Sequence, residues 1–291
     1  MKTIFIKTVA SAVLVMSAVA LSALPVAAQV TAALGVNASA SVTTNSSGTG
    51  ASAGVGLSAK AKALATVITN ATTRADQEIT RRIDALNALS ARVNAMVKVS
   101  ASDKTSLSST IQTQITAMNT LQAQIAADAA ANSTSSLKAD VQSITKSYRI
   151  FALVIPQGAI EAAADRVMTI TDLMTQLAGQ LQTRITAAQS AGVDMTTSVS
   201  ALADMNAKVA DANAQAQAAV SETASLQPDN GVQSVMASNT AALKDAHTKI
   251  QAAQQDLVTA RADAGAIVKA LLAVKVAVSA SSTTAASTSA Q

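Results

Sequence analysis

The chain has 291 residues, a formal net charge of +4 and no cysteine, so disulfide cross-links and thiol redox chemistry are excluded. Basic and acidic residues are mixed along the sequence, and no basic patch indicates nucleic-acid binding. Aromatic residues make up only 1% of the chain, and alanine supplies much of its apolar content. Because alanine has the highest helix propensity and strands favour β-branched and aromatic residues, the composition predicts an all-α protein.

The first 28 residues have the pattern of a secretory signal peptide. Lys2 and Lys7 precede an uncharged stretch over residues 8–28, which ends in small residues typical of a cleavage site before Gln29. The stretch is just long enough to span a bilayer, so a retained anchor is the alternative to cleavage. We therefore expect an exported protein that is periplasmic, located at the cell surface or extracellular.

Two uncharged segments of small and polar residues flank the central part of the chain. Residues 29–57 consist largely of Ala, Ser, Thr, Gly and Asn and are predicted to form a flexible linker. Residues 279–291 have a similar composition and are predicted to be a disordered tail. The folded part of the protein is therefore expected between residues 58 and 278.

Apolar residues recur every three or four positions between these flanks, which indicates amphipathic helices. Ser102 and Asp194 are placed to cap helices, and Gly192 follows a helix end. Pro156 should end or kink the helix before it. The predicted helices span about residues 58–99, 103–131, 137–155, 157–190, 195–226 and 232–278. Their short connections make neighbouring helices antiparallel.

The last predicted helix carries the most regular pattern. From Val232 to Val278 its stripe positions alternate in steps of four and three, with Asn239 as the one polar member. This spacing is typical of coiled coils, but apolar residues beside the stripe widen it and favour an intramolecular bundle. The sequence thus predicts an elongated antiparallel helical bundle with coiled-coil-like long helices. Whether the chain is a monomer or a homo-oligomer is open.

No combination of residues in the sequence indicates catalysis. His247 is the single histidine, and no nucleotide-binding loop, nucleophile motif or zinc-binding motif is present. Small core side chains let helices pack closely, which leaves little room for a ligand pocket. We therefore predict a protein that is not an enzyme and has no catalytic residue, cofactor or metal site.

Two stretches are candidates for an interaction patch. Ion pairs along one helix surface explain the dense charges of residues 74–84, and a binding epitope is the alternative. Residues 147–157 contain both aromatic residues of the mature chain. We favour a core packing role for this segment over partner docking or membrane insertion, since residues 150–155 are too few to span a bilayer. The candidate interaction patch consists of Arg81, Arg82, Tyr148, Arg149 and Phe151.

Several short stretches of the chain resemble those of a known group of proteins. They are Asp76-Gln77-Glu78-Ile79-Thr80-Arg81-Arg82, Leu86-Asn87-Ala88-Leu89, Ser147-Tyr148-Arg149-Ile150-Phe151, Ile155-Pro156-Gln157 and Ala162-Ala163-Ala164-Asp165-Arg166. With them, the region from about residue 63 to residue 226 is similar to an uncharacterised group of exported helical proteins from candidate-phyla bacteria of the Patescibacteria or Parcubacteria type. The resemblance implies an exported location. It implies no activity and carries over no functional residue.

These observations predict a non-catalytic structural or interaction protein that acts as a helical spacer, envelope component or attachment factor. Its expected partner is an unidentified protein or envelope component, and membrane contact is not favoured. One alternative is a membrane-active protein of pore-forming type, in which residues 150–155 or 269–278 would contact lipid. The other is an exported chaperone-like binder with an exposed apolar groove.

Overall fold

The computed structural model describes residues 51–229 and 232–288, apart from the side chains of residues 51–60, 145–150 and 276–288. Every regular element in these ranges is a helix, which confirms the predicted all-α class. The helices are α1 (Ala51–Asn94), α2 (Ala101–Ala130), α3 (Thr134–Ser190), α4 (Thr196–Ala224) and α5 (Gln233–Thr288). The predicted signal peptide and residues 29–50 of the predicted linker lie outside the described residues.

Helix α3 is shared by two three-helix bundles that follow one another along its length. The α1–α2 hairpin packs on its first half, and the α4–α5 hairpin packs on its second half. Contacts between the helices show that α1, α3 and α5 run in one direction and α2 and α4 in the other. The 57 residues of α3 span about 85 Å. The predicted elongated, antiparallel bundle is therefore confirmed.

Buried apolar residues form three clusters along this rod. The two end clusters each join three helices, α1 to α3 at one end and α3 to α5 at the other. The middle cluster joins all five helices, through residues that include Leu89, Ile111, Val167, Ala216 and Ile250. The two bundles are therefore packed against each other and are not separated by a linker.

The regular stripe predicted on the last helix is buried within the chain itself. Six of its members are at most 5% exposed, namely Ala246, Ile250, Ala253, Ala260, Ala264 and Ile267. Val232 and Met236 are 51% and 39% exposed, because α4 ends at Ala224 and does not extend far enough to cover them. The side chain of Val278 lies outside the described residues. The stripe holds the bundle together, and a supercoiled coiled-coil geometry stays a prediction.

The predicted end of a helix before Pro156 is wrong, because α3 continues through this residue; a kink at Pro156, the alternative to a helix end, stays a prediction. One helix therefore replaces the two that were predicted over residues 137–155 and 157–190. Proline inside a helix costs about 3 kcal/mol, since it removes a hydrogen bond and crowds the preceding turn. Val154 before it and Ile160 after it are both buried in the middle cluster. Burial of both sides of the proline in one core outweighs the local penalty.

Both predicted flexible flanks are partly helical. Helix α1 begins at Ala51, so residues 51–57 of the predicted linker belong to it. Helix α5 continues to Thr288, so residues 279–288 of the predicted tail are helical too. Neither segment contains proline, and a helix that is already nucleated extends into alanine at low cost, although Gly54 and Gly56 of the first segment each cost about 1 kcal/mol relative to alanine. Residues 289–291 lie outside the described residues.

The turn between α1 and α2 begins earlier than predicted. Helix α1 ends at Asn94, although Met96 and Val99 continue the apolar spacing and are buried. The turn itself buries these two side chains, which is why their spacing resembled a longer helix. Ser100, not the predicted Ser102, caps α2, and its hydroxyl oxygen accepts a backbone N–H hydrogen bond at 3.1 Å.

The predicted turn after α3 is confirmed. Gly192 has a φ of 82°, in the left-handed region that glycine adopts without strain. The N–H of Val193 donates to the carbonyl oxygen of Ala188 at 3.1 Å, which closes the end of α3. Met195, not the predicted Asp194, occupies the N-cap position of α4. Asp194 Oδ1 still accepts a hydrogen bond from the N–H of Thr196 at 2.9 Å, in the first turn of this helix.

Gly158 lies at a close contact between α3 and α1. A Cβ atom there would be 2.6 Å from Leu89 Cδ1, whereas a Cβ atom at Gly179 would meet nothing within 4 Å. We expect Gly158→Ala to lower the free energy of unfolding by about 1–3 kcal/mol through overpacking. Gly179→Ala, the matched control, should raise it by about 0.5–1 kcal/mol. Urea denaturation measures both, and equal effects would contradict the close packing of these helices.

Candidate functional site

Polar side chains buried in the middle of the rod are the candidates for a functional site. Four of them, Arg82, Glu161, Asp165 and Thr223, are at most 6% exposed. Burying polar or charged groups costs several kcal/mol unless they are hydrogen-bonded or paired. The partners of these four side chains therefore indicate what the arrangement can do.

Asp165 on α3 binds the turn between α1 and α2. Its Oδ1 atom accepts hydrogen bonds from the backbone N–H groups of Val97, Lys98 and Val99, at 2.7, 2.5 and 3.1 Å. Successive N–H groups that converge in this way form an anion-binding concavity, and here the chain itself supplies the anion. Lys98 also pairs with Asp172, further along α3. The turn is thereby fixed to α3.

Glu161 lies one helical turn before Asp165 and has weaker partners. Gln157 Nε2 donates to Glu161 Oε1 at 3.3 Å and to the carbonyl oxygen of Thr223 at 3.0 Å, which links α3 to the end of α4. The other carboxylate oxygen, Oε2, is buried without a hydrogen-bond partner. Burial, together with the negative charge of Asp103 on α2, raises the pKa of Glu161 to about 7. Gln157 and Thr223 lower the pKa, but their effect is smaller. The carboxyl group therefore titrates near neutral pH.

Arg82, which belongs to the predicted interaction patch, is an internal residue that joins α1 to α3. Its Nε donates to Glu78 Oε1 at 2.8 Å, and its Nη1 donates to the carbonyl oxygen of Ile144 at 2.6 Å. Its guanidinium carbon lies 5.7 Å from the centroid of the Phe151 ring. Burial raises the pKa of Glu78, but hydrogen bonds from Arg81 and Arg82 outweigh burial and keep the pKa below its ordinary value.

The other residues of the predicted patch occupy different environments. Arg81 is exposed on α1, where its guanidinium pairs with Glu78 at 2.8 Å. Phe151 is partly buried against the middle cluster, as expected of a core packing role. The side chains of Tyr148 and Arg149 lie outside the described residues. Arg81, Arg82 and Phe151 therefore do not share one exposed surface.

Glu161 and Asp165 are not among the site residues predicted from the sequence. They are four positions apart, so they share one face of α3, and each directly follows a residue of the apolar stripe, Ile160 or Ala164. An acidic residue at the edge of an apolar stripe can be recognised in the sequence as a candidate for burial. The pattern does not show whether the residue is buried, because only the tertiary structure shows that other helices cover the edge.

The two segments assigned to a membrane-active alternative differ in burial: the described side chains of residues 151–155 are buried or partly buried, whereas those of residues 269–275 are partly buried or exposed. The side chains of residues 150 and 276–278 lie outside the described residues. Leu153 and Val154 are buried, and Leu271 and Val274 pack against an end cluster, whereas Leu272 is 58% exposed. None of the helices in the described ranges combines the length and the apolarity that crossing a membrane requires. Within the same ranges, no group of three or more acidic or histidine side chains could hold a metal ion.

A shallow groove of about 220 Å³ lies between α1 and α2. Its polar lining includes Thr72, Thr73, Asp76 and Gln122. The amide of Gln122 donates to the carboxylate of Asp76 across the groove, so these two groups already bind each other. Small-molecule sites usually combine an apolar cavity with a few convergent polar groups that remain free for the ligand. The groove is therefore a weaker candidate than the buried polar residues.

No family model, curated protein or solved structure matches this chain. Within the described residues, Arg82 and Asp165 bind other parts of the same chain and connect α3 to the α1–α2 hairpin. Gln157 connects α3 to the end of α4.

The contrast between Arg82 and Arg81 provides a test of the internal contact. We expect Arg82→Ala to lower the free energy of unfolding by roughly 2–4 kcal/mol, because it removes the bonds to Glu78 and to the Ile144 carbonyl group. Arg81→Ala, at the exposed neighbour, should cost less than about 0.5 kcal/mol. Thermal and urea denaturation measure both variants. Similar losses in the two would show that Arg82 does not hold α1 to α3.

Glu161 should make the stability of the protein depend on pH. Between pH 4.5 and about 7 the unfolded chain loses this proton and the folded chain keeps it, so the free energy of unfolding falls as pH rises. The loss contributed by this group is at most about 3 kcal/mol and is complete above the folded pKa. Glu161→Gln should therefore match the wild type near pH 4.5 and exceed its stability at pH 8. Parallel stability curves for the two proteins would rule out this contribution.

Proposed function

We propose that this protein is an exported, non-catalytic structural protein that serves as a helical spacer or attachment rod on the outer side of a bacterial membrane. The observation that carries the proposal is the continuous helix α3. A single helix of 57 residues that is shared by two bundles sets a fixed length of about 85 Å. The signal-like N-terminal segment supports export, and the linker composition before residue 51 supports a tether.

The buried polar contacts also support a structural role. The guanidinium of Arg82 and the carboxylate of Asp165 each bind backbone groups of another segment, and both contacts set how α1 lies along α3. Lys208 on α4 pairs with Asp256 on α5 at 2.9 Å, which links the helices of the other hairpin. Side chains engaged in this way stiffen the rod. A stiff rod suits a protein whose task is to hold two attachment points apart.

The expected partner is a protein or another envelope component, and mixed surface charge argues against a nucleic acid. The resemblance to exported proteins of candidate-phyla bacteria agrees with this location and stays a prediction. A pore-forming function is less favoured, because lipid contact through residues 150–155 would require Leu153 and Val154 to leave the core. That rearrangement would expose the middle of the rod.

Small-angle X-ray scattering of the chain from Gln29 tests the proposed spacer. A compact protein of about 260 residues would have a radius of gyration of about 18 Å. A rod of about 85 Å should have a radius of gyration of roughly 25 Å or more, which is the result we expect. Light scattering on the same sample gives the molar mass, so that one long chain is distinguished from chains joined end to end. A monomer with a radius near 18 Å would remove the basis of the proposal.

A further inference from the structure

The turn formed by residues 95–100, between α1 and α2, is held on α3 by polar contacts. Asp165 accepts three hydrogen bonds from its backbone, and Lys98 pairs with Asp172. Lys104 Nζ, at the start of α2, donates to the carbonyl oxygen of Met96 at 2.5 Å and closes the turn on itself. The turn is therefore a defined unit that is held on α3 by polar side chains and by the burial of Met96 and Val99 in the middle cluster.

Glu161 lies beside this unit, one helical turn before Asp165. It is 1% exposed, and its Oε2 atom has no hydrogen-bond partner. On the side of α4, hydrogen bonds involving Gln157 and Thr223 favour the ionised carboxylate. On the side of α2, the negative charge of Asp103 opposes it. The ionised carboxylate is therefore opposed from the side of α2 by the charge of Asp103, and Gln157, which also binds the Thr223 carbonyl oxygen of α4, donates to only one of its two oxygens.

We propose that the turn of residues 95–100 is a proton-operated latch on α3, closed while Glu161 is neutral and loosened when Glu161 is ionised. A buried carboxylate without a full set of partners is costly, and the cost falls when water reaches it. Water can reach it if the start of α2, with Asp103 and the preceding turn, moves away from α3. Opening would break the hydrogen bonds to Asp165 and uncover Met96 and Val99, which are buried when the turn is closed.

Charged side chains at the end of α4, in the first half of α5 and at the end of α1 are either paired or exposed. On α4, Glu222 pairs with Lys249 of α5 at 2.6 Å, and Lys249 also pairs with Asp245 at 2.5 Å. On α1, Arg92 in the last turn is exposed. At the start of α2, Lys104 Nζ is bound to the carbonyl oxygen of Met96, and the charge of Asp103 raises the pKa of Glu161, which is the sign that the latch requires.

Hydrogen–deuterium exchange of the full chain measures the latch, because opening frees the N–H groups of Val97, Lys98 and Val99 while the helices stay intact. The opening equilibrium should rise about tenfold per pH unit between the ordinary and the folded pKa of Glu161. We expect exchange in residues 95–100, corrected for the intrinsic effect of pH, to increase about 100-fold from pH 5 to pH 8. The end clusters around Ile79 and Ile185 should remain better protected than the turn at both pH values.

Three variants decide whether Glu161 operates the latch. Glu161→Gln keeps the shape of the side chain and should abolish the pH-dependent increase in exchange. Asp204→Asn, which removes an exposed carboxylate of α4, should behave like the wild type. Asp103→Asn removes the opposing charge and should reduce the increase, which keeps the test decisive if Glu161→Gln does not fold. A turn as protected as the end clusters, or an increase that persists in Glu161→Gln, overturns the proposal.

Discussion

The burial of one continuous helix by two separate hairpins is the constraint on which this structure depends. Each hairpin has an apolar face that it buries against α3, and in the middle of the rod both hairpins and α3 share one cluster. If α3 ended at Pro156, that shared cluster would be divided between two helices that could move apart. Continuity through the proline therefore sets both the length of the rod and the relative position of its two bundles.

Small side chains bring the helices close together, but they specify alignment weakly. Alanines such as Ala212 and Ala216 on α4 and Ala246 and Ala253 on α5 are fully buried, and one alanine offers nearly the same shape as the next. Buried polar contacts supply the alignment that shape does not, as buried polar residues do in coiled coils. A shift of α1 by one turn along α3 would leave the guanidinium of Arg82 and the carboxylate of Asp165 without their present partners.

Local features of the sequence predicted the helical class, the elongated bundle and the turn at Gly192, because periodicity and turn chemistry are encoded in neighbouring residues. The continuation through Pro156 could not be predicted in this way, since the penalty of proline is local and the compensating burial comes from other helices. The end of α1 was predicted too late for a related reason. Met96 and Val99 are buried in the turn, and their spacing is the same as that of apolar residues on a helix. Glu161 and Asp165 were not predicted as site residues, because their burial depends on helices that are distant in the sequence.

The placement of Glu161 is difficult to explain by stability alone. A methionine or leucine would occupy a similar volume without the cost of a buried carboxyl group, and replacing buried charges with apolar residues is often stabilising. Glu161 lies between Ile160 and Ala163 of the middle cluster, so the dependence on pH that it introduces is located where the two bundles meet. Stiffness at this point decides whether the bundles act as one rod or as two connected bodies. The latch proposed for the turn of residues 95–100 lies at this same junction, because Met96 and Val99 of the turn belong to the cluster that joins all five helices.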